Sequence, residues 1–223
     1  VAKVTEQLIT NIEGKGNRLQ TGFLGTEVIM HTLTKIGRSD VAYKLLLQHD
    51  NPSWLYSVDQ GATTIWERWN SYTLATGFGD VGMNSFNHYA YGAVVGWMMS
   101  DMAGIDFDVD NPGFKHILLE PNPDQSIPAV RASYDSAYGT IVSDMAYEGD
   151  VWSYSCTIPA NTTATIKLPV EDISTLRVNG GKELSVTGLE YQGYEDGYAV
   201  FEAAAGSYSF STEITVVHYV SID

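Results

Sequence analysis

The stretch Gly61–Trp69 (GATTIWERW) sets one carboxylate, Glu67, between two indoles, Trp66 and Trp69, with Arg68 alongside. An indole offers a flat apolar face that suits the C–H face of a sugar ring. A carboxylate held beside such faces suits acid–base work on a bound substrate. Spacing leaves a second reading open: Trp66 and Trp69 lie three apart and could share the core face of a helix, with Glu67 and Arg68 in solvent. A second stretch, Met83–Val94 (MNSFNHYAYGAV), carries His88. If Asn84 or Ser85 caps a long helix reaching to about Ala103, His88 falls in its first turn. There it shares a face with Tyr91 that could line a cleft, or is satisfied by a backbone carbonyl. Neither a metal nor a cofactor is expected. The five histidines show no ligand spacing, and no nucleophile elbow or phosphate-binding glycine loop occurs.

Helices must position these stretches. Apolar residues at Val1, Val4, Leu8 and Ile12 suggest a first helix, broken by Gly14, Gly16 and Asn17. Thr21 and Gly22 open a second, which Gly37 stops. Ser39 can cap a third, with Asp40 in its first turn. Residues 53–60 are a short element of unresolved type, and residues 70–83 a glycine-rich loop. After Asp110-Asn111-Pro112-Gly113 the apolar period changes from helical to alternating. Candidate strands are Lys115–Glu120, Ala129–Asp135, Thr140–Tyr147, Val151–Ile158, Thr163–Leu168, Thr175–Val178, Ala199–Glu202 and Tyr208–Ile214. Turn residues separate them, which argues a β-sandwich. Tyr134, Tyr138, Tyr147, Trp152 and Tyr154 read as its core and edges. The expected domains are 1–111 and 112–223.

The charge balance narrows the partners. Lys and Arg number 12 against 27 Asp and Glu, a net −15. Nucleic acid and anionic membrane surfaces both require basic patches, so both are excluded. No apolar run is long enough to span a bilayer. The opening VAKVTEQLIT lacks the apolar core of a signal peptide, and the compartment is unreadable. A single cysteine, Cys156, excludes an internal disulfide.

Four segments in order, TGFLGT (Thr21–Thr26), GRSDVAYKLLLQ (Gly37–Gln48), PSWLYSVDQGATTIWERW (Pro52–Trp69) and MNSFNHYAYGAV (Met83–Val94), resemble the bacterial α-L-rhamnosidases of glycoside hydrolase family 78. PGFKHILLEP (Pro112–Pro121) and the β-rich remainder resemble that family's exit from the barrel and its C-terminal domain. The resemblance implies an α+β chain: the last four or five helices of an (α/α)6 toroid, then an antiparallel β-sandwich. It implies release of terminal α-L-rhamnose with inversion. The glutamate of the family's TTxWExW motif falls on Glu67 as general base. The histidine of NSFNHYAYG falls on His88, a rhamnose contact. Trp54 and Trp69 match aromatic positions near that site.

One departure matters. The family's general acid lies on an acidic loop far upstream of the base, and Glu6, Glu13, Glu27, Asp40, Asp50 and Asp59 match no such loop. The expectation is therefore the C-terminal portion of a larger enzyme, inactive alone. Its exposed helix faces should favour self-association. The competing readings are another toroidal carbohydrate enzyme, a lyase or different glycosidase, and a non-catalytic carbohydrate-binding or structural module.

Overall fold

A computed structural model describes residues 2–214, so Val1 as part of the first helical face and His218 lie outside the described residues. The chain divides into two compact units, Val1–Trp97 and Met98–Asp223. The composition change at Asp110–Gly113 thus lies inside the second unit.

Helices α1 (Ala2–Glu13), α2 (Phe23–Lys35), α3 (Ser39–Leu46) and α4 (Trp54–Asp59) build the first unit. The end of α2 shows why sequence fixes its length. Gly37 adopts φ +73°, its N–H donates to Thr34 O at 2.9 Å, and Arg38 N–H donates to Leu33 O at 2.8 Å. This double closure satisfies the last carbonyls, and glycine adopts the left-handed backbone it needs without a Cβ penalty. Helix α3 starts one residue earlier than a Ser39 cap would place it: Arg38 holds the cap position. The Arg38 guanidinium instead pairs with Asp40 in the first turn, at 2.8 Å. Helix α3 buries Val41, Ala42, Tyr43, Leu45 and Leu46. Ser53 caps α4 by accepting from Tyr56 N–H at 3.1 Å, which resolves residues 53–60 as a helix.

The expected long helix from Asn84 is corrected. A single 3-10 turn spans Val81–Met83, residues 84–89 are irregular, and helix resumes only at Ala90. It runs as a 3-10 turn, Ala90–Ala93, then α5 (Val94–Trp97). A two-strand ribbon, β1 (Tyr72–Thr73) against β2 (Gly77–Phe78), occupies the expected loop.

The second unit opens on a π-helical turn, Met98–Met102. Its strands are β3 (Ile105–Phe107), β4 (His116–Leu119), β5 (Ala129–Ser136), β6 (Gly139–Glu148), β7 (Val151–Pro169), β8 (Arg177–Val178), β9 (Leu189–Glu195) and β10 (Tyr198–Glu213). Two strands form the spine. β7 and β10 pair antiparallel nearly end to end. The other edge of β7 carries β6 along residues 151–157 and β4 along 163–166. The other edge of β10 carries β9 along 198–203 and β8 at 210–211. Each long strand therefore carries different partners along its two halves, within one eight-stranded sheet. The change occurs where Asn161 takes φ +63° and where pairing skips a residue between Ala204 and Gly206. That bulge switches the buried set in β10 from Ala199, Phe201 and Ala203 to Tyr208, Phe210 and Thr212, as an extra residue must when side chains alternate. Phe201 and Phe210, one from each half, meet at 5.3 Å between ring centroids. One pairing differs from the expected antiparallel pattern: β4 runs parallel to β7.

Candidate functional site

The GATTIWERW stretch is not helical, so its two tryptophans do not share a helix face. Residues 64–67 instead lie against residues 85–88. Glu67 N–H donates to Ser85 O at 2.9 Å, and His88 N–H donates to Ile65 O at 2.9 Å. The Thr64 hydroxyl donates to Phe86 O. The β1–β2 ribbon between these segments turns the chain back so that they can meet. This lacing fits the missing helix: Ser85 O and Phe86 O, which would accept the first helical bonds, accept from Glu67 N–H and the Thr64 hydroxyl instead.

Glu67 is half-buried. Its Oε2 accepts the Ser85 N–H at 2.6 Å, a short charge-assisted bond to main chain. Among the described residues, no cation pairs with Glu67 and nothing hydrogen-bonds Oε1. The carboxylate is therefore oriented through one oxygen and open at the other. His88 precedes the helix rather than sitting in its first turn, and its Nδ1 accepts from Ala90 N–H at 3.3 Å. A neutral imidazole whose Nδ1 accepts carries its proton on Nε2, which is then a donor. The ring stacks on Phe23, 4.8 Å and 15° away, and lies nearly parallel to that of Tyr89, 5.4 Å and 6° away.

Trp69 stacks on Tyr91 at 3.8 Å and meets the edge of Trp54 at 5.6 Å. Its indole N–H donates to Thr21 O at 2.9 Å, and that of Trp54 donates to Tyr91 O at 2.9 Å. Such bonds leave the ring faces to pack or to take a ligand. Trp66 joins a separate group, edge-on to Phe86 at 5.3 Å and Tyr72 at 6.4 Å. A cavity of about 300 Å³ is lined by Trp54, Trp66, Trp69, Tyr91, Thr63 and Arg68 among others; neither Glu67 nor His88 borders it. The structure thus joins Trp54 to Trp69, and the segment of Glu67 to that of His88. Sequence reasoning missed Phe23, whose ring tilts against Tyr91 at 5.2 Å as well as stacking on His88; its place in the TGFLGT segment was the available signal. Among the described residues, no group of three His, Cys, Asp or Glu side chains could hold a metal ion. Among the described residues, no helix is long and apolar enough to cross a membrane.

Two family models match the chain. Residues 1–102 match the six-hairpin glycosidase domain of bacterial α-L-rhamnosidases, and residues 104–183 match their C-terminal domain. An α-L-rhamnosidase from Formosa agariphila is 36% identical over 211 residues, which is 95% of this chain and 23% of that protein. One from Streptomyces avermitilis is 37% identical over 206 residues, 92% of this chain and 19% of that protein. The crystal structure of the Streptomyces avermitilis α-L-rhamnosidase complexed with L-rhamnose superposes with a TM-score of 0.83 at 36% identity, covering 94% of this chain and 19% of that one. That of native α-L-rhamnosidase from Aspergillus terreus gives 0.78 at 29% identity, covering 94% and 21%. The chain thus spans about a fifth of the length of these relatives. The likeness carries the fold class expected from the sequence, the closing helices of a toroid followed by a β domain.

Proposed function

The chain belongs to the bacterial α-L-rhamnosidase family, and from that premise we propose that it is the closing part of an inverting glycoside hydrolase that removes terminal α-L-rhamnose from glycosides or polysaccharides. Glu67 is the general base. It takes a proton from water as the water oxygen bonds to the anomeric carbon. The bond from that carbon to the aglycone oxygen breaks, and a second carboxyl group protonates the leaving oxygen. Inverting enzymes hold the two carboxyl groups about 6.5–9.5 Å apart to admit the water. In this reading the acid lies on a part of the protein outside residues 1–223, and the chain alone does not turn over substrate.

The observation that supports the base role most directly is the state of the Glu67 carboxylate. One oxygen is held by the Ser85 amide at 2.6 Å and the other has no protein partner among the described residues. The Nε2–H of His88 donates to a sugar hydroxyl. Trp54 and Trp69 supply an apolar wall suited to the methyl group of a 6-deoxy sugar. The outward face of α2, with Leu24 and Val28 exposed one turn apart, is where the rest of the ring packs.

The test is hydrolysis of an aryl α-L-rhamnoside by the whole protein. Glu67→Gln keeps the acceptor for the Ser85 amide but cannot take a proton. The expected loss in kcat is about 10²–10⁴-fold, with an unchanged circular dichroism spectrum. Full activity in that variant removes the base role. Rhamnose binding without turnover by the unmutated whole protein favours a binding module instead.

A further inference from the structure

The Ser85 amide aims the Glu67 carboxylate, and the residue before it holds that amide in place. Asn84, a candidate helix cap in sequence, spends its side chain elsewhere: Nδ2 donates to Ser71 O at 2.9 Å. Ser71 is fully buried and is tied to the residue that follows Glu67. Its N–H donates to Arg68 O at 3.1 Å, and its Oγ accepts from Arg68 N–H at 3.1 Å. These bonds close a circuit. It runs from the Glu67 carboxylate to Ser85 N–H, through the planar peptide to Asn84, across to Ser71 and back through Arg68 to Glu67. Asn84 is the only side chain of the facing segment in that circuit. Its Oδ1 is buried with no hydrogen-bond partner, so the fold uses the donor of this amide and not its acceptor. Gly79 N–H donates to the same Ser71 oxygen at 2.8 Å, which occupies both lone pairs of that carbonyl. A Cβ added to Gly79 would stand 3.2 Å from Asn84 Nδ2 and 3.4 Å from Ser71 O, so glycine there leaves room for the bond.

With Glu67 as general base, the reading on which this rests, we propose that Asn84 is its positioning residue. Anchored on Ser71, Asn84 holds the peptide that carries the Ser85 amide, and that amide holds Oε2 of Glu67. Oε1 is left to meet the water. The part Asn84 plays is geometric, and it moves no proton. Geometry of this kind matters to rate, because a misplacement of about 1 Å at a reacting group costs about 10²-fold.

Two measurements test this. The first is the amide correlation spectrum of the full 223-residue chain. An N–H held by a carboxylate at 2.6 Å resonates downfield, and a weaker or neutral acceptor releases it. The Ser85 signal should move upfield in Glu67→Gln and also in Asn84→Ala, in a spectrum otherwise that of the folded chain. An unmoved Ser85 signal in Asn84→Ala overturns the proposal. Asn84→Asp keeps the shape but turns an acceptor toward Ser71 O; it should move the signal the same way, and it decides the matter if Asn84→Ala does not fold. The second measurement is hydrolysis of an aryl α-L-rhamnoside by the whole protein. Asn84→Ala should lower kcat by about 10–10²-fold and leave KM within about threefold. Added to Glu67→Gln, it should lower kcat by less than about twofold, because groups that act through one another are not additive. An equal loss in both backgrounds reveals a merely structural role and overturns the proposal, as does an unchanged kcat in Asn84→Ala. Full activity in Glu67→Gln instead removes the base role itself, so the two failures are told apart.

Discussion

Gly104 and Gly37 share nearly the same backbone conformation, φ +72° and +73°, but not the same surroundings. A Cβ built on Gly37 meets nothing within 4 Å, whereas one on Gly104 would sit 2.2 Å from Pro121 N, 2.3 Å from Glu120 C and 2.6 Å from Glu120 O. Those are main-chain atoms, and no rotamer change moves them. They are also pinned: Glu120 N–H donates to Gly104 O at 2.9 Å, and Asn122 N–H donates to Asp101 O at 3.2 Å. Gly37→Ala therefore isolates the cost of a left-handed alanine, about 1–2 kcal/mol. Gly104→Ala adds an overpacking cost of about 1–3 kcal/mol, for a total of about 2–5 kcal/mol. Hydrogen exchange read by mass spectrometry resolves the two sites in one molecule. At about 1.4 kcal/mol per decade, exchange from β3 and β4 should quicken by at least about 30-fold in Gly104→Ala. Exchange from the α2–α3 turn should quicken by about 5–30-fold in Gly37→Ala. Equal penalties in the two variants would refute the reasoning, because the shared φ would then explain everything and the close approach nothing.

Three further outcomes are expected. The hydrogen bond from Arg38, ahead of its charge and that of Lys44, holds the Asp40 carboxyl below its ordinary value of 3.8. A depressed folded value means stability present above that ordinary value and lost as pH falls through the lower one. The melting temperature of the parent should therefore fall toward that of Asp40→Asn below about pH 4, by a small amount because exposed pairs contribute about 0–1 kcal/mol; a gap that widens on acidification contradicts it. Burial pushes the Cys156 thiol up to about 12, so a disulfide-exchange reagent at about pH 8 should label it only in denaturant; labelling of the native chain at the rate of a free thiol counts against the burial. Sedimentation of the lone chain should show self-association through the exposed apolar residues of α2, and a strict monomer with native helicity opposes that surface as an interface.

Local chemistry was legible where it is decided locally. Gly37 ends α2 because a left-handed residue closes the last turn. The alternation in β6 and along both halves of β7 marked strands because one face of each is buried. Distant pairings were not legible. Val151–Ile158 and Thr163–Leu168 read as two strands, but they are one strand bent near Asn161. Ile105–Phe107 is too short to show a period, and β9 is mostly exposed on both faces, so it shows no clear apolar alternation. The parallel partner of β4 lies more than forty residues away, and nothing in a four-residue run of HILL states its direction.

The candidate site divides along the same line. Its residue types stood out in sequence, but the geometry that unites them depends on main-chain bonds across about twenty residues of intervening chain. Three- or four-residue spacing announces partners on one helix, and Glu67 and His88 lie too far apart in the chain to show it. The structure instead returns the chain through the β1–β2 ribbon and orients the carboxylate with the Ser85 amide, a donor every non-proline residue carries. The identity of residue 85 can therefore change without losing that bond, whereas its backbone position cannot. Disturbing the ribbon should consequently displace Glu67 more than replacing the Ser85 side chain does. This is why a scan of side-chain types finds the carboxylate but not what aims it.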